Sequence, residues 1–173
     1  EEPSSWTTID DVDLCCHLGS DWSVYSVLER SRIEAEAALI RYANLRGIPV
    51  IGVCFGAQLI SQVFGGRVSR LSRPEIGWCE VTPSITSPIF GGRWMQWHYD
   101  SFSVPDGFDV LATNVVGVQV IRRGRLLGTQ FHPEVTEPVI SKWIHSGGEE
   151  ELIRIGISPS DLLAETRQEA QRT

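Results

Sequence analysis

Apolar residues recur along the first part of the chain with periods that alternate between strand and helix. An apolar, β-branched run at residues 48–53 is typical of a strand buried on both faces. Residues 29–46 carry apolar side chains at helical spacing, and Gly47 follows where a helix commonly ends. The inner face of this helix is predicted to hold Ile33, Ala37, Ile40 and Leu45. Residues 12–18 predict an earlier strand, and residues 57–64 predict a second helix.

That order of strand, helix, strand and helix predicts parallel strands joined by a right-handed crossover. After Gly66 the pattern changes to short strand-like runs separated by proline and glycine, which indicates antiparallel pieces appended to a parallel core. These runs lie at residues 68–71, 76–81, 94–98, 109–113, 118–122 and 126–131. Helices are predicted at 136–145 and 150–155, a polar helix or tail at 161–172, and a polar lead-in at 1–11.

The composition fits a single globular domain spanning residues 1–173. Apolar residues make up 42% and charged residues 21% of the chain, with a formal net charge of −7. No basic stripe is visible, which argues against a nucleic-acid partner. No apolar run reaches the length of a membrane span and no signal peptide opens the sequence, so we expect no membrane partner. Cys15, Cys16, Cys54 and Cys79 form no disulfide framework or metal spacing, and reduced thiols predict a cytoplasmic location.

Cys54 lies between the predicted buried strand and the second helix, in the pattern Gly52-Val53-Cys54-Phe55-Gly56. This G-x-C-x-G is the pattern of a nucleophile elbow, with cysteine in place of serine. Glycines on either side permit the tight turn, and a helix N-terminus favours thiolate over thiol and can hold an oxyanion. An inert core cysteine is the alternative interpretation of the motif alone.

A cysteine nucleophile needs a base and a group that orients the base. His132 follows the apolar run at 126–131, Pro133 fixes the local backbone, and Glu134 comes two residues after the histidine. We interpret this turn as one that brings the carboxylate back to the imidazole. The alternative is that Glu134 only begins the following helix.

Four stretches of the chain resemble the class I (triad) glutamine amidotransferase superfamily. They are GVCFGAQ at 52–58, QFHPEV at 130–135, RPEIGW at 73–78 and QWHYD at 96–100. The last two resemble internal segments of stand-alone, GMP-synthase-like members, and the resemblance extends from residue 11 to about residue 163. It implies a flavodoxin-like α/β core of parallel strands flanked by helices, with a small appended antiparallel sheet. It also implies hydrolysis of the side-chain amide of glutamine.

By this resemblance, Cys54 is the nucleophile, His132 the acid and base, and Glu134 the residue that orients His132. The resemblance also implies that Gln58 and the backbone near His98 and Tyr99 hold the amino-acid end of the substrate. The oxyanion is expected to bind the N–H groups of Phe55 and Ser20, with Gly19 setting the angle of the turn. No metal or organic cofactor is required.

The sequence departs from the family pattern at two places. Members usually begin with a further strand and helix before the strand predicted at 12–18, and here those elements are absent or reduced. The oxyanion loop often reads Gly-Gly-Pro in the family, whereas Gly19-Ser20-Asp21 fills that place here. A backbone N–H does the work in this loop, so Ser20 can still supply it.

Three functions remain open at the level of sequence. The first is a glutaminase subunit that delivers ammonia to a synthase on another chain. The second is a γ-glutamyl hydrolase or peptidase, which shares the triad and differs in the leaving group. The third is a catalytically idle binding module on the same fold, against which the complete triad argues.

Overall fold

The computed structural model describes residues 12–84 and 87–169. The predicted lead-in at 1–11 and the last positions of the predicted tail lie outside the described residues. Seven strands occur within these ranges: β1 (Cys15–His17), β2 (Val50–Val53), β3 (Val68–Pro83), β4 (Gly92–Phe102), β5 (Asp109–Thr113), β6 (Val118–Arg123) and β7 (Leu126–Thr129). The α-helices are α1 (Arg30–Arg46), α2 (Phe55–Val63), α3 (Glu137–Trp143), α4 (Glu149–Arg154) and α5 (Pro159–Glu169). A 3-10 turn lies at Pro88–Phe90 and a π-helical turn at Ile144–Gly148.

The strands form one sheet in the order β1-β2-β7-β6-β5-β3-β4. β2 lies between β1 and β7 and pairs with both in parallel. The remaining four pairings are antiparallel, so four strands, β3 to β6, extend the parallel part into a continuous mixed sheet. This architecture agrees with the predicted α/β class. Because β2 and β7 are parallel neighbours, their carboxyl ends meet at one edge of the sheet, where both predicted motifs begin.

Helix α1 ends as the sequence predicts, but its inner face differs at one position. Gly47 adopts a left-handed conformation with φ of 72°, and its N–H donates to the carbonyl oxygen of Asn44 in the last turn. Ile33, Ala37 and Ile40 are buried as predicted. The prediction for Leu45 is wrong, because Leu45 is 82% exposed and Ala43 is fully buried in its place. Ala43 follows Ile40 by three residues and stays on the same helix face, whereas five residues carry Leu45 to another face.

β3 joins two predicted strands into one. The runs predicted at 68–71 and 76–81 form a single strand that pairs with β4 along most of its length. Its register with β4 shifts between Arg70 and Glu75, which is the segment that contains Pro74. Proline has no N–H for the ladder, so an irregularity is expected at this point.

Helices α1 and α2 pack on the sheet through one large apolar cluster that includes Ile40, Leu59 and Ile121. A second cluster joins Trp78 and Met95 to helices α3, α4 and α5. Trp78 Nε1–H donates to Thr166 Oγ1 at 3.0 Å, and Arg93 pairs with Glu165 and Glu169 on α5. These contacts fix α5 against the β3-β4 pair.

No helix in the described part of the chain combines the length and the apolar character needed to cross a membrane.

Candidate active site

Cys54 occupies a strained turn between β2 and α2. Its φ of 52° and ψ of −105° make it the one non-glycine residue with positive φ in residues 12–84 and 87–169. Its backbone N–H donates to the carbonyl oxygen of Thr129 at 2.8 Å, which ties the turn to the end of β7. A residue held in this region of backbone space is costly and is common at functional sites, including nucleophile elbows.

The two glycines of the elbow are required by close packing. A Cβ at Gly52 would lie 2.5 Å from the backbone carbon and oxygen of Gly56. A Cβ at Gly56 would lie 2.1 Å from the carbonyl oxygen of His17 on β1. Both distances are far inside van der Waals contact and involve backbone atoms that cannot move aside. The motif therefore contains glycine at these positions because α2 begins directly against β1 and β2.

His132 lies just beyond β7, opposite the elbow. Its backbone N–H donates to Met95 O at 2.9 Å, which fixes the segment against β4. Its Nδ1 lies 2.8 Å from Glu134 Oε1, so the carboxylate does return to the imidazole. Because Glu134 takes Nδ1, Nε2 is the ring nitrogen left for Cys54. Helix α3 begins only at Glu137, so Glu134 is not simply the first residue of a helix.

The surroundings of His132 favour the protonated imidazolium. Burial is the largest single influence on its pKa and acts to lower it. Hydrogen bonds from the ring to Cys54 and Glu134, with the negative charges of those groups, outweigh burial and raise the pKa of His132 from 6.5 to about 10. The ring of Trp143 packs edge-on against the imidazole, with centroids 4.9 Å apart.

The loop after β1 packs against both Cys54 and His132. A Cβ at Gly19 would lie 3.0 Å from His132 Cε1 and 3.8 Å from Cys54 Cβ. The Ser20 hydroxyl accepts from the backbone N–H of Trp22 at 3.4 Å, so it is engaged within the loop. Phe55 is the first residue of α2, and its N–H has no acceptor inside the helix.

Gln58, His98 and Tyr99, which are predicted to hold the amino-acid end of the substrate, line the same cleft as Cys54. Gln58 is buried, and its Nε2 donates at 3.3 Å to Asp100 O and to Gln130 Oε1. The His98 ring lies between two acceptors, with Nδ1 2.9 Å from Asp100 O and Nε2 2.8 Å from Glu75 Oε2. Both ring nitrogens of His98 are therefore engaged within the protein. Burial, followed by the negative charge of Glu151, raises the pKa of Tyr99.

The remaining cysteines lie in different environments, and all four cysteines are free thiols. Burial and then the negative charge of Glu75 raise the pKa of Cys79 to about 12. Burial, with a further contribution from the adjacent Cys16, raises the pKa of Cys15. Cys16 is exposed. Cys79 and Cys15 are therefore held as neutral thiols, whereas Cys54 faces a protonated imidazole.

One open cleft of about 1360 Å³ is lined by all nine residues that the sequence predicts to be catalytic or substrate-binding. They are Gly19, Ser20, Cys54, Phe55, Gln58, His98, Tyr99, His132 and Glu134. Within the described ranges, no three His, Cys, Asp or Glu side chains form a group that could hold a metal ion.

Three further residues of the cleft had no role predicted from the sequence. The carbonyl oxygen of Trp97 lies 3.9 Å from Cys54 Sγ, and the Trp97 ring packs edge-on against Trp143. Trp143 in turn contacts His132. The carboxylate of Asp100 accepts hydrogen bonds from Ser23 and Tyr25. Asp100 is the last residue of the QWHYD stretch, whose family resemblance directs attention to this part of β4. The hydrogen bonds of Asp100 with Ser23 and Tyr25 cannot be predicted from any local sequence pattern.

The chain belongs to the glutamine amidotransferase class-I family, whose family model matches residues 26–142. The resemblance noted in the sequence is thereby confirmed. Among curated relatives, a GMP synthase [glutamine-hydrolyzing] of Thermomicrobium roseum is 40% identical over 97 residues, covering 51% of this chain and 18% of that protein. Component 2 of the anthranilate synthase of Archaeoglobus fulgidus is 39% identical over 99 residues, covering 51% of this chain and 53% of that protein.

Solved structures confirm the fold class. A glutamine amidotransferase of Thermotoga maritima superposes with a TM-score of 0.84 at 29% identity, covering 92% of this chain and 72% of that one. A glutamine amidotransferase of Methylobacillus flagellatus gives a TM-score of 0.70 at 28% identity, covering 76% of this chain and 56% of that one. The chain spans about a fifth to a half of the length of the curated relatives described above.

Proposed function

We propose that this cleft hydrolyses the side-chain amide of glutamine and releases ammonia, with Cys54, His132 and Glu134 as a catalytic triad. The observation that carries the proposal is the pairing of a strained elbow cysteine with a buried histidine whose far nitrogen is held by a carboxylate. Family membership supports the reaction class, because the relatives are named for glutamine hydrolysis or as synthase components.

In the first half-reaction, the Cys54 thiolate attacks the carbon of the γ-carboxamide and forms an S–C bond. The carbonyl π electrons move to oxygen, and the N–H groups of Phe55 and Ser20 stabilise the resulting oxyanion. The C–N bond then breaks, His132 gives its proton to the departing nitrogen, and ammonia leaves. A γ-glutamyl thioester on Cys54 remains.

In the second half-reaction, neutral His132 takes a proton from water as the water oxygen attacks the thioester carbon. The same N–H groups bind the second oxyanion. The C–S bond breaks, glutamate leaves, and the thiolate and imidazolium are restored. Glu134 holds Nδ1–H throughout and so keeps Nε2 directed at the reacting atoms. Gln58 and the backbone at His98 and Tyr99 hold the amino-acid end of the substrate.

The proposed destination of the ammonia is a synthase. The names of the relatives support a synthase as the recipient, since one is a component of anthranilate synthase and others are GMP synthases. We further propose that residues 1–173 act as one domain in the cytoplasm, with neither nucleic acid nor membrane as a partner.

The size of the cleft favours a second candidate, a γ-glutamyl hydrolase or peptidase. A volume of about 1360 Å³ exceeds the roughly 300–1,000 Å³ of a typical drug-sized ligand site. Such space can accept a substituent on the amide nitrogen. The chemistry is unchanged apart from the leaving group, which becomes an amine or a peptide.

A substrate panel separates these candidates. We would measure kcat/KM for glutamine, a γ-glutamyl alkylamide and a γ-glutamyl dipeptide with the purified chain. The glutaminase proposal predicts the highest value for glutamine, and a reversed order would replace it with the second candidate. Turnover of none of the three, by a protein that unfolds cooperatively, would indicate an idle binding module.

A further inference from the structure

Asp100, on β4, is a buried carboxylate with an unusual set of partners. Its Oδ2 accepts from Ser23 Oγ at 2.5 Å, and its Oδ1 accepts from the Tyr25 hydroxyl at 2.7 Å. Arg70 lies at 3.9 Å from Oδ1 and is itself 60% exposed. Burying a carboxylate is costly unless hydrogen bonds replace its water. The two hydroxyls supply those bonds, so the carboxylate and the loop that carries Ser23 and Tyr25 stabilise each other.

That loop has no regular structure of its own. Residues 18–29 connect β1 to α1 without a helix or a strand, and Val27 and Leu28 are largely exposed. The same loop places Gly19 against His132 and Cys54. Its proposed oxyanion donor, the N–H of Ser20, must stay aimed at the reacting carbon through two tetrahedral intermediates. A surface loop needs anchoring contacts to hold such a direction.

The backbone of Asp100 makes a different set of contacts from its carboxylate. Its carbonyl oxygen accepts from Gln58 Nε2 at 3.3 Å and from His98 Nδ1 at 2.9 Å. One residue therefore contacts the proposed substrate-binding side chain through its backbone and the proposed oxyanion loop through its carboxylate. The two contacts can be separated by mutation, because a side-chain substitution leaves the backbone carbonyl in place.

We propose that Asp100 is a positioning residue that latches the oxyanion loop, through Ser23 and Tyr25, in the geometry that aims the Ser20 N–H at the reacting carbon. The proposal rests on the proposed function for its kinetic consequences. Asp100 acts through Ser20 and does not itself touch the substrate.

The first test compares kcat with KM in Asp100→Ala. The latch is lost while Gln58 keeps its backbone acceptor, so we expect kcat to fall about 10- to 100-fold, below the full loss of one oxyanion donor. KM for glutamine should change by less than about threefold, since ground-state binding is retained. Asp100→Asn should lose less, because an amide can still hydrogen-bond to both hydroxyls. Asp109→Ala, an exposed aspartate on β5, is the matched control and should retain the parent kcat.

The second test asks whether Asp100 affects kcat through its hydrogen bonds to Ser23 and Tyr25. Ser23→Ala with Tyr25→Phe removes the other half of the latch, and Tyr25 is half exposed, so this variant should fold. Combining it with Asp100→Ala should cost no more than Asp100→Ala alone, because both changes break one interaction. Additive losses, or a rise in KM with unchanged kcat, would overturn the proposal.

Amide hydrogen exchange gives a readout that does not depend on turnover. Asp100→Ala should speed exchange of the Trp22 and Ser26 amides, whose acceptors lie within the loop, while β2 and α2 keep their protection. If the parent chain proves inactive on glutamine, the proposed function fails, yet this measurement still tests the latch. Unchanged protection of the loop in a folded Asp100→Ala protein would contradict the latch whatever the activity.

Discussion

At the scale of single residues, the four thiols of this chain differ in their electrostatic surroundings. Burial and then the negative charge of Glu75 raise the pKa of Cys79 to about 12. Cys54 instead faces His132, where burial lowers the pKa of the imidazole but contacts with Cys54 and Glu134 outweigh it and raise that pKa to about 10. Thiolate character governs cysteine nucleophilicity, so Cys54 is the thiol expected to react with an electrophile bound in the cleft.

A glutamine-like diazo-ketone should therefore label Cys54 alone, forming an S–C bond as nitrogen leaves. Exposed Cys16 provides an internal control, because a small general alkylating agent should reach it whereas the glutamine analogue should not. Peptide mass spectrometry after each treatment reads out the site. Labelling of Cys79 or Cys16 by the glutamine analogue would remove Cys54 from the proposed role.

The pKa of His132 predicts the alkaline limit of activity. Imidazolium is needed to protonate the departing ammonia, so deprotonation of His132 switches the reaction off as pH rises. With the pKa raised to about 10, kcat/KM should fall along an alkaline limb near that pH. Glu134→Gln removes one of the charges that raise the pKa, so the limb should move to lower pH.

Substitutions of His132 and Glu134 should reduce kcat by different amounts. His132→Ala removes acid and base together and should reduce kcat by several orders of magnitude. Glu134→Gln should cost less, since a poorly oriented imidazole still transfers protons. A Glu134→Gln enzyme with parental kcat and an unmoved alkaline limb would reduce the triad to a dyad of Cys54 and His132.

At the scale of elements, the loop between β1 and α1 is expected to act through its backbone. The Ser20 hydroxyl is engaged with the N–H of Trp22, so Ser20→Ala should change kcat by no more than a few-fold. Ser20→Pro deletes the proposed donor, which typically costs about 10²–10³ in kcat. Thermal unfolding of both variants must accompany the kinetics, because proline can also distort the turn. A large loss in Ser20→Ala would assign the effect to the hydroxyl instead.

The junction of α2 with β1 makes a separate prediction about stability. Gly56→Ala places a methyl group 2.1 Å from a β1 carbonyl oxygen, and such overpacking costs about 1–3 kcal/mol or more. Gly47→Ala is the matched control, since nothing lies within 4 Å of its Cβ and only the left-handed φ opposes it, at about 1–2 kcal/mol. Urea unfolding should give a larger loss in the free energy of unfolding for Gly56→Ala than for Gly47→Ala. The reverse order would contradict the close packing of α2 on β1.

Local pattern predicts elements well where one period dominates. Residues 109–113 form β5 as predicted, and α1 ends at Arg46 with Gly47 as its C-cap. The interpretation of the pattern fails at Leu45, which is exposed because it follows Ile40 by five residues and so lies off the buried face of α1. At Pro74, tertiary pairing decides the outcome. The break expected at Pro74 is an irregularity within β3, because pairing with β4 continues on both sides of it.

At the scale of the whole molecule, the sheet order explains why two distant motifs form one site. β2 and β7 are parallel neighbours although more than seventy residues separate them. The elbow at Cys54 and the turn at residues 132–134 therefore lie at the same edge of the sheet. Both motifs can be recognised in the sequence because each combines turn-forming glycine or proline with a cysteine, histidine or glutamate. The contacts of Trp143 with His132 and of Asp100 with Ser23 cannot be predicted in this way. They join elements far apart in the sequence, and their packing leaves no periodic pattern in either element.

Hydrolysis of glutamine by Cys54 in this cleft can be tested with the purified chain. The most direct test measures ammonia and glutamate released from glutamine alone, by the parent chain and by Cys54→Ala. We expect equimolar ammonia and glutamate from the parent and none from Cys54→Ala, with similar thermal unfolding of the two proteins. Release of both products by Cys54→Ala at the parental rate would contradict this expectation.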